Sequence, residues 1–129
     1  MTEKKTVLII EDDQDIRDLI SDILTENDFN VVACENGKVG LDYLLANLNK
    51  NHPDCIIIDL MMPVMNGLQV IDYLLDNHEN DLGAIPMIIT SAKDQPEENI
   101  MLLPSNIIQV KKPMEVEELL SNVKRQMGL

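Results

Sequence analysis

Five side chains in this sequence have types and positions that could serve one piece of chemistry: Glu11, Asp12, Asp59, Ser91 and Lys112. Each stands at or just beyond the end of an apolar run. Glu11-Asp12-Asp13 follows Val7-Leu8-Ile9-Ile10, and Asp59 closes the run from Cys55. Ser91 follows Met87-Ile88-Ile89-Thr90, and Lys112-Pro113 comes after Asn106 to Val110. Carboxylates brought close together repel, so gathering Glu11, Asp12 and Asp59 costs stability unless a cation shares the site. Oxygen donors with no His or Cys beside them suit a hard ion, Mg²⁺ or Mn²⁺. A hydroxyl donor at Ser91 and a fixed cation at Lys112 complete a set suited to phosphoryl transfer onto Asp59, with metal and lysine neutralising the phosphoryl oxygens. Taken singly, each residue has an ordinary reading. Asp59 could simply form a turn, the acids could face solvent separately, and Ser91 and Lys112 could be surface residues.

Those residues share a site only if the chain folds so as to collect the ends of its strands. Val7 to Ile10, Cys55 to Asp59 and Met87 to Thr90 are near-continuous apolar runs, the pattern of strands buried on both faces. Phe29 to Cys34 and Asn106 to Val110 are interrupted by Asn30 and Gln109 and suit sheet edges. Between them lie helical stripes: Ile16, Leu19, Ile20, Ile23 and Leu24; then Leu41, Leu44, Leu45 and Leu48; then Leu68, Ile71, Leu74 and Leu75. Val116, Leu119, Leu120, Val123 and Met127 mark the last helix. The stretch from Asp94 to Leu103 carries its apolar residues as a block, and a short helix ended by Pro104 is the expectation there. Pro63 and Asn66-Gly67 turn the chain after Asp59. Five alternations of strand and helix define an α/β protein with a parallel sheet and helices on both faces. Right-handed crossovers with the apolar strands central give the order 2-1-3-4-5. Strands one and three are then neighbours at the switch point, where open α/β sheets bind ligands beyond their carboxyl ends. Lys112 precedes a proline, which restricts its backbone and permits a cis bond.

At 129 residues and 45% apolar content the chain is expected to fold as a single domain, 1–129, with its own core. It shows no repeats or low-complexity segments. With no leader pattern and no apolar run long enough to span a bilayer, it reads as a cytoplasmic protein without a membrane partner. Ten basic against 23 acidic residues, net −13, argue against direct nucleic-acid binding, which needs clustered Lys and Arg. Cys34 and Cys55 lie in strand-like runs and are expected to be buried and reduced. His52 and His78 have no metal-ligand spacing and are read as surface residues, which makes zinc improbable. No Gly-rich loop follows the first strand, and no Ser/His/Asp or Cys/His arrangement falls at the strand ends. Met61, Met62 and Met65 are read as loop packing and a source of carbonyl oxygens, not a cofactor box.

Four motifs in order resemble the receiver domain of two-component response regulators. They are Ile9-Ile-Glu-Asp-Asp-Gln-Asp-Ile-Arg17, Asp59-Leu-Met-Met-Pro-Val-Met-Asn-Gly67, Pro86 to Ser91-Ala92, and Lys112-Pro113. The likeness runs from the first strand through the last helix, and the Asp59 motif is the most specific. It implies a flavodoxin-like (βα)5 fold, with the same 2-1-3-4-5 order. It also implies that Asp59 accepts a phosphoryl group from a phosphohistidine of a sensor histidine kinase or a histidine phosphotransfer protein. Asp12, Asp59 and the backbone carbonyl of Met61 would coordinate Mg²⁺, with Glu11 acting through metal-bound water. Ser91 would bind a phosphoryl oxygen and Lys112 would pair with it. Receivers contribute to their own phosphorylation and dephosphorylation yet are signalling proteins, not classed as enzymes. Output would pass through contacts with a downstream protein whose identity the sequence does not give.

The chain departs from that family in four places. Glu11 replaces the commoner Asp at the first acid. Gln109, three before Lys112, stands where an aromatic is usual, and Met114 replaces a Phe after Lys-Pro. Leu103-Pro104-Ser105-Asn106 replaces an Ala-Gly-rich turn before the fifth strand. The residues after Pro113 suffice for one helix and no output domain, so the expectation is a phosphorylation-switched module working alone or in a relay. Two other classes were weighed. A phosphorylation-independent adaptor would keep the fold and lose the switch, against which the intact acid, hydroxyl and lysine argue. A phosphatase of the haloacid dehalogenase type would need an acid two residues after its nucleophile, where this chain has Met61.

Overall fold

The structure is a computed structural model, and it describes residues 4–47, 52–62, 64–76, 84–91, 104–113 and 115–129. His78, Leu48, Pro63, Ala92, Met114, Leu103 and the helix expected within Asp94 to Leu103 lie outside the described residues. In chain order the elements are β1 (Thr6–Ile10), α1 (Gln14–Glu26), β2 (Asn30–Cys34), α2 (Gly37–Ala46), β3 (Cys55–Asp59), α3 (Gly67–Asp76), β4 (Met87–Ser91), β5 (Ile107–Lys111) and α4 (Val116–Gln126). The five strands form one parallel sheet in the order β2-β1-β3-β4-β5. The apolar runs are central and the two interrupted ones are at the edges, as expected.

Side chains of a strand alternate between faces, so each central strand feeds two cores. Leu8, Ile10, Ile56, Ile58, Met87 and Ile89 pack on one face with Leu41 and Leu44 of α2 and Val70, Ile71 and Leu74 of α3. Val7, Ile9, Ile57, Ile88 and Val110 pack on the other with Ile20 and Leu24 of α1 and Leu119 and Val123 of α4. Every residue of β3 and β4 is buried.

Two residues expected on helical stripes face solvent instead. Leu19 is 56% exposed, because α1 packs along Ile16, Ile20, Ile23 and Leu24 and Leu19 falls on its flank. Val116 is also exposed; it opens α4 ahead of the turns that carry Leu119 and Val123 onto the sheet. The fifth strand begins at Ile107, one residue later than expected, and runs on to Lys111. Both cysteines are free and buried, and burial pushes the Cys55 thiol up to about 12, which keeps it protonated and inert. His52 is on the surface. No described helix is long and apolar enough to cross a membrane.

Candidate functional site

The carboxyl ends of β1, β3, β4 and β5 form one edge. Ile10 is registered with Ile58, Asp59 with Thr90, and Ser91 with Lys111. The turn after β1 is held from several sides. The Glu11 amide donates to the Cys34 carbonyl at 3.1 Å, extending the pairing with β2 past the end of β1. Arg17 Nη1 donates to the Glu11 carbonyl at 2.8 Å from one turn into α1. Asp13 is the N-cap of that helix, its Oδ1 accepting from the amides of Asp15 and Ile16. Glu11 is thereby fixed and only 2% exposed, while Asp12 is left facing solvent.

Asp59 is 6% exposed, and its two oxygens have separate partners. Oδ1 accepts from the Met61 amide at 3.2 Å, closing an Asx turn, and Oδ2 lies 3.3 Å from Lys112 Nζ. The turn-forming reading of this residue is therefore correct, and its second oxygen is free to face Lys112. The loop onward to α3 closes over the backbone of Asp59. Gly67 comes so near that a Cβ there would stand 2.6 Å from the Asp59 carbonyl oxygen and 3.0 Å from Leu60 Cα. Asn66 and Gln69 cap α3 reciprocally, each side-chain oxygen accepting from the other's amide at 2.9 Å.

Lys112 Nζ bridges two acids, at 2.7 Å from Glu11 Oε1 and 3.3 Å from Asp59 Oδ2. Its position is set by the ladder, where its amide donates to the Ser91 carbonyl at 2.7 Å, and it precedes a cis peptide bond to Pro113. Burial draws the Lys112 pKa down, but hydrogen bonding and charge pairing with Glu11 and Asp59 outweigh it, and the net shift is upward. Glu11 moves the other way in charge. Burial first, then the neighbouring Asp59, push its carboxyl up to about 8 against the opposing pull of Lys112. The second Glu11 oxygen, Oε2, is buried with no hydrogen-bond partner among the described residues.

Carboxylate oxygens of Glu11, Asp12 and Asp59 lie within 4.8 Å of one another. One lysine bridges two of these three acids, and among the described residues one buried carboxylate oxygen is left unsatisfied, so the residues fit a divalent cation held by hard oxygen ligands. Met61 contributes its amide to Asp59. Ser91 is at the same edge, fully buried, with its Oγ accepting from Gln109 Nε2 at 2.7 Å. Sequence reasoning thus named the acids, the serine and the lysine, but not their supports. Arg17 lies inside the first motif, Asp13 and the Asn66-x-x-Gln69 box are legible as caps, and the family resemblance marks Gln109 as standing where an aromatic is usual without giving its hydrogen bond to Ser91.

Residues 7–124 match the model of the response regulator receiver domain, the signalling module of two-component systems, and the chain belongs to that family. Among curated proteins it is 29% identical over 119 residues to the response regulator MprA of Mycobacterium sp. (strain KMS), covering 92% of this chain and 48% of that protein. Among solved structures it is similar to the Francisella response regulator 1452 receiver domain, at 30% identity and a TM-score of 0.80, covering 97% of this chain and 98% of that one. A CheY-like receiver domain protein from Methanospirillum hungatei JF-1 is 27% identical with a TM-score of 0.79, covering 96% and 94% of the two chains. The chain spans about half the length of the curated relatives it matches.

Proposed function

We propose that this chain is a phosphorylation-switched receiver, one domain over residues 1–129, acting in the cytoplasm. Asp59 takes a phosphoryl group from a phosphohistidine of a sensor histidine kinase or a histidine phosphotransfer protein. The observation that carries the reading is the convergence on Asp59. A buried carboxylate at the end of a central strand stands beside a fixed lysine, with two further carboxylates within 4.8 Å.

In the transfer, Asp59 Oδ attacks phosphorus as the phosphorus–nitrogen bond of the donor breaks. The donor imidazole, protonated on its other ring nitrogen, leaves neutral with the bonding electron pair, and the product is an acyl phosphate. Lys112, already 3.3 Å from Asp59 Oδ2, pairs with a phosphoryl oxygen as charge builds there. Ser91 donates its hydroxyl to another. Asp12, Asp59 and the Met61 carbonyl would hold Mg²⁺ (Mn²⁺ as a substitute), with Glu11 reaching it through water. When bound, the ion supplies charge neutralisation and a template for the phosphoryl oxygens. The product replaces one carboxylate charge by a larger phosphate charge beside Lys112. That change biases the surrounding loops toward a second arrangement read by a downstream protein.

The test is intact-mass spectrometry after incubation with acetyl phosphate and Mg²⁺, beside Asp59→Asn and EDTA controls. One added phosphoryl group in the wild type, absent from both controls, is the expected result. If a phosphohistidine donor also fails to modify folded, Mg²⁺-bound protein, the phosphorylation-independent adaptor replaces this reading.

A further inference from the structure

Ser91 and Gln109 are joined by a hydrogen bond whose direction matters. Ser91 ends β4 at 0% exposure, so its hydroxyl meets protein groups and not water. Gln109 sits on β5 opposite Ile89, two residues before the position opposite Ser91, and therefore shares a sheet face with the serine. Its Nε2 donates to Ser91 Oγ at 2.7 Å. A serine hydroxyl has one proton and two lone pairs. An amide N–H on a lone pair leaves the proton unspent, and it polarises the O–H into a better donor. The reverse pairing, with the glutamine oxygen accepting from serine, would spend that proton. The Ser91 backbone is tied to the same strand, its carbonyl accepting from the Lys112 amide. Gln109 on β5 and Lys112 just beyond its end together thus hold the side chain and the backbone of Ser91.

We propose that Gln109 is a positioning residue for phosphoryl binding: by donating to Ser91 Oγ, it keeps the serine proton available to a phosphoryl oxygen on Asp59. This rests on the phosphoacceptor reading above. Gln109 acts only through Ser91, so its contribution disappears when the hydroxyl does.

The experiment titrates beryllium fluoride, a tetrahedral phosphoryl mimic, into the chain of residues 1–129 at saturating Mg²⁺. The proteins are wild type, Gln109→Met, Gln109→Glu, Ser91→Ala and the two double variants, each checked for its fold by circular dichroism. Loss of one net hydrogen bond corresponds to roughly a three- to tenfold weakening, the effect expected for Gln109→Met. Gln109→Glu should bind more weakly still, because its carboxylate can only accept and so takes the serine proton. In the Ser91→Ala background Gln109→Met should have no effect, and the Gln109→Glu penalty should shrink to that of its charge alone. Mg²⁺ affinity without the mimic should be the same for Gln109→Met as for wild type. Unaltered mimic binding by Gln109→Met, an effect of equal size without the hydroxyl, or wild-type binding by Gln109→Glu would each overturn the inference. Failure of the wild type itself to bind the mimic would instead remove the phosphoacceptor reading, and this inference with it.

Discussion

Val64 is a β-branched residue held at φ +71°, with its side chain 80% exposed. That region of backbone space costs an L side chain about 1–2 kcal/mol, and so exposed a valine recovers little of it by packing. It lies in the loop between Asp59 and α3. Val64→Asn substitutes a residue that tolerates the left-handed region without the entropic cost of glycine. Urea unfolding should show a gain of about 1 kcal/mol with an unchanged m-value. A loss would mean that Val64 makes a contact worth more than its strain. Single residues were also where the sequence was hardest to read. Leu19 and Val116 look like core positions by type, and the helix faces turn them outward. Gln109 stands out in the sequence only as a departure from the family's aromatic, because the partner that gives it a role is 18 positions away and on another strand.

Elements were far more legible. Three strands of β-branched and other apolar residues have no stable place but the middle of a sheet, and the two interrupted by amides are left for its edges. That reasoning located the ends of the strands and hence the site. What it lacked was the detail of the connections, since a turn is closed by particular caps and close approaches. Gly67 is the sharpest case. The first residue of α3 rests against the backbone of Asp59, and backbone on both sides leaves nothing flexible to yield. Gly67→Ala would gain helix propensity of about 1 kcal/mol, yet it must displace either α3 or the Asp59 carbonyl. The clash dominates: the variant should lose roughly 2 kcal/mol or more in urea unfolding. Acetyl phosphate labelling of Asp59 should fall even where the protein is still folded, because the displaced carbonyl belongs to the acceptor residue.

For the molecule as a whole, the acid cluster couples folding, protons and metal. The Glu11 carboxyl has an ordinary pKa of 4.5 and is pushed up to about 8 in the fold. Between those values the native state keeps a proton that the unfolded chain has lost. Without metal, stability should therefore fall as pH rises from about 4.5 to about 8, and then level off. Lys112 is raised from 10.5, so its contribution is intact across that window and fades only above it. Mg²⁺ favours the ionised cluster, so its affinity should climb with pH and flatten near 8, with a proton released on binding below that. Calorimetric Mg²⁺ titration from pH 6 to 9 checks both points, and Glu11→Gln should remove most of the pH dependence. An affinity independent of pH in the wild type would show that Glu11 is already ionised beside Lys112 before the metal arrives.

The Lys112–Glu11 ion pair joins residues 101 positions apart, and Lys112–Asp59 joins residues 53 apart. Loop closure over such separations comes late, after local helices and neighbouring strands have formed. A chain emerging during synthesis therefore holds its acids long before it holds their lysine. Until β5 docks, those acids lack the counter-charge that Lys112 brings, and the acceptor lacks its fixed cation. On the phosphoacceptor reading proposed above, readiness to take a phosphoryl group comes only once β5 has docked, and a half-made domain is a silent one.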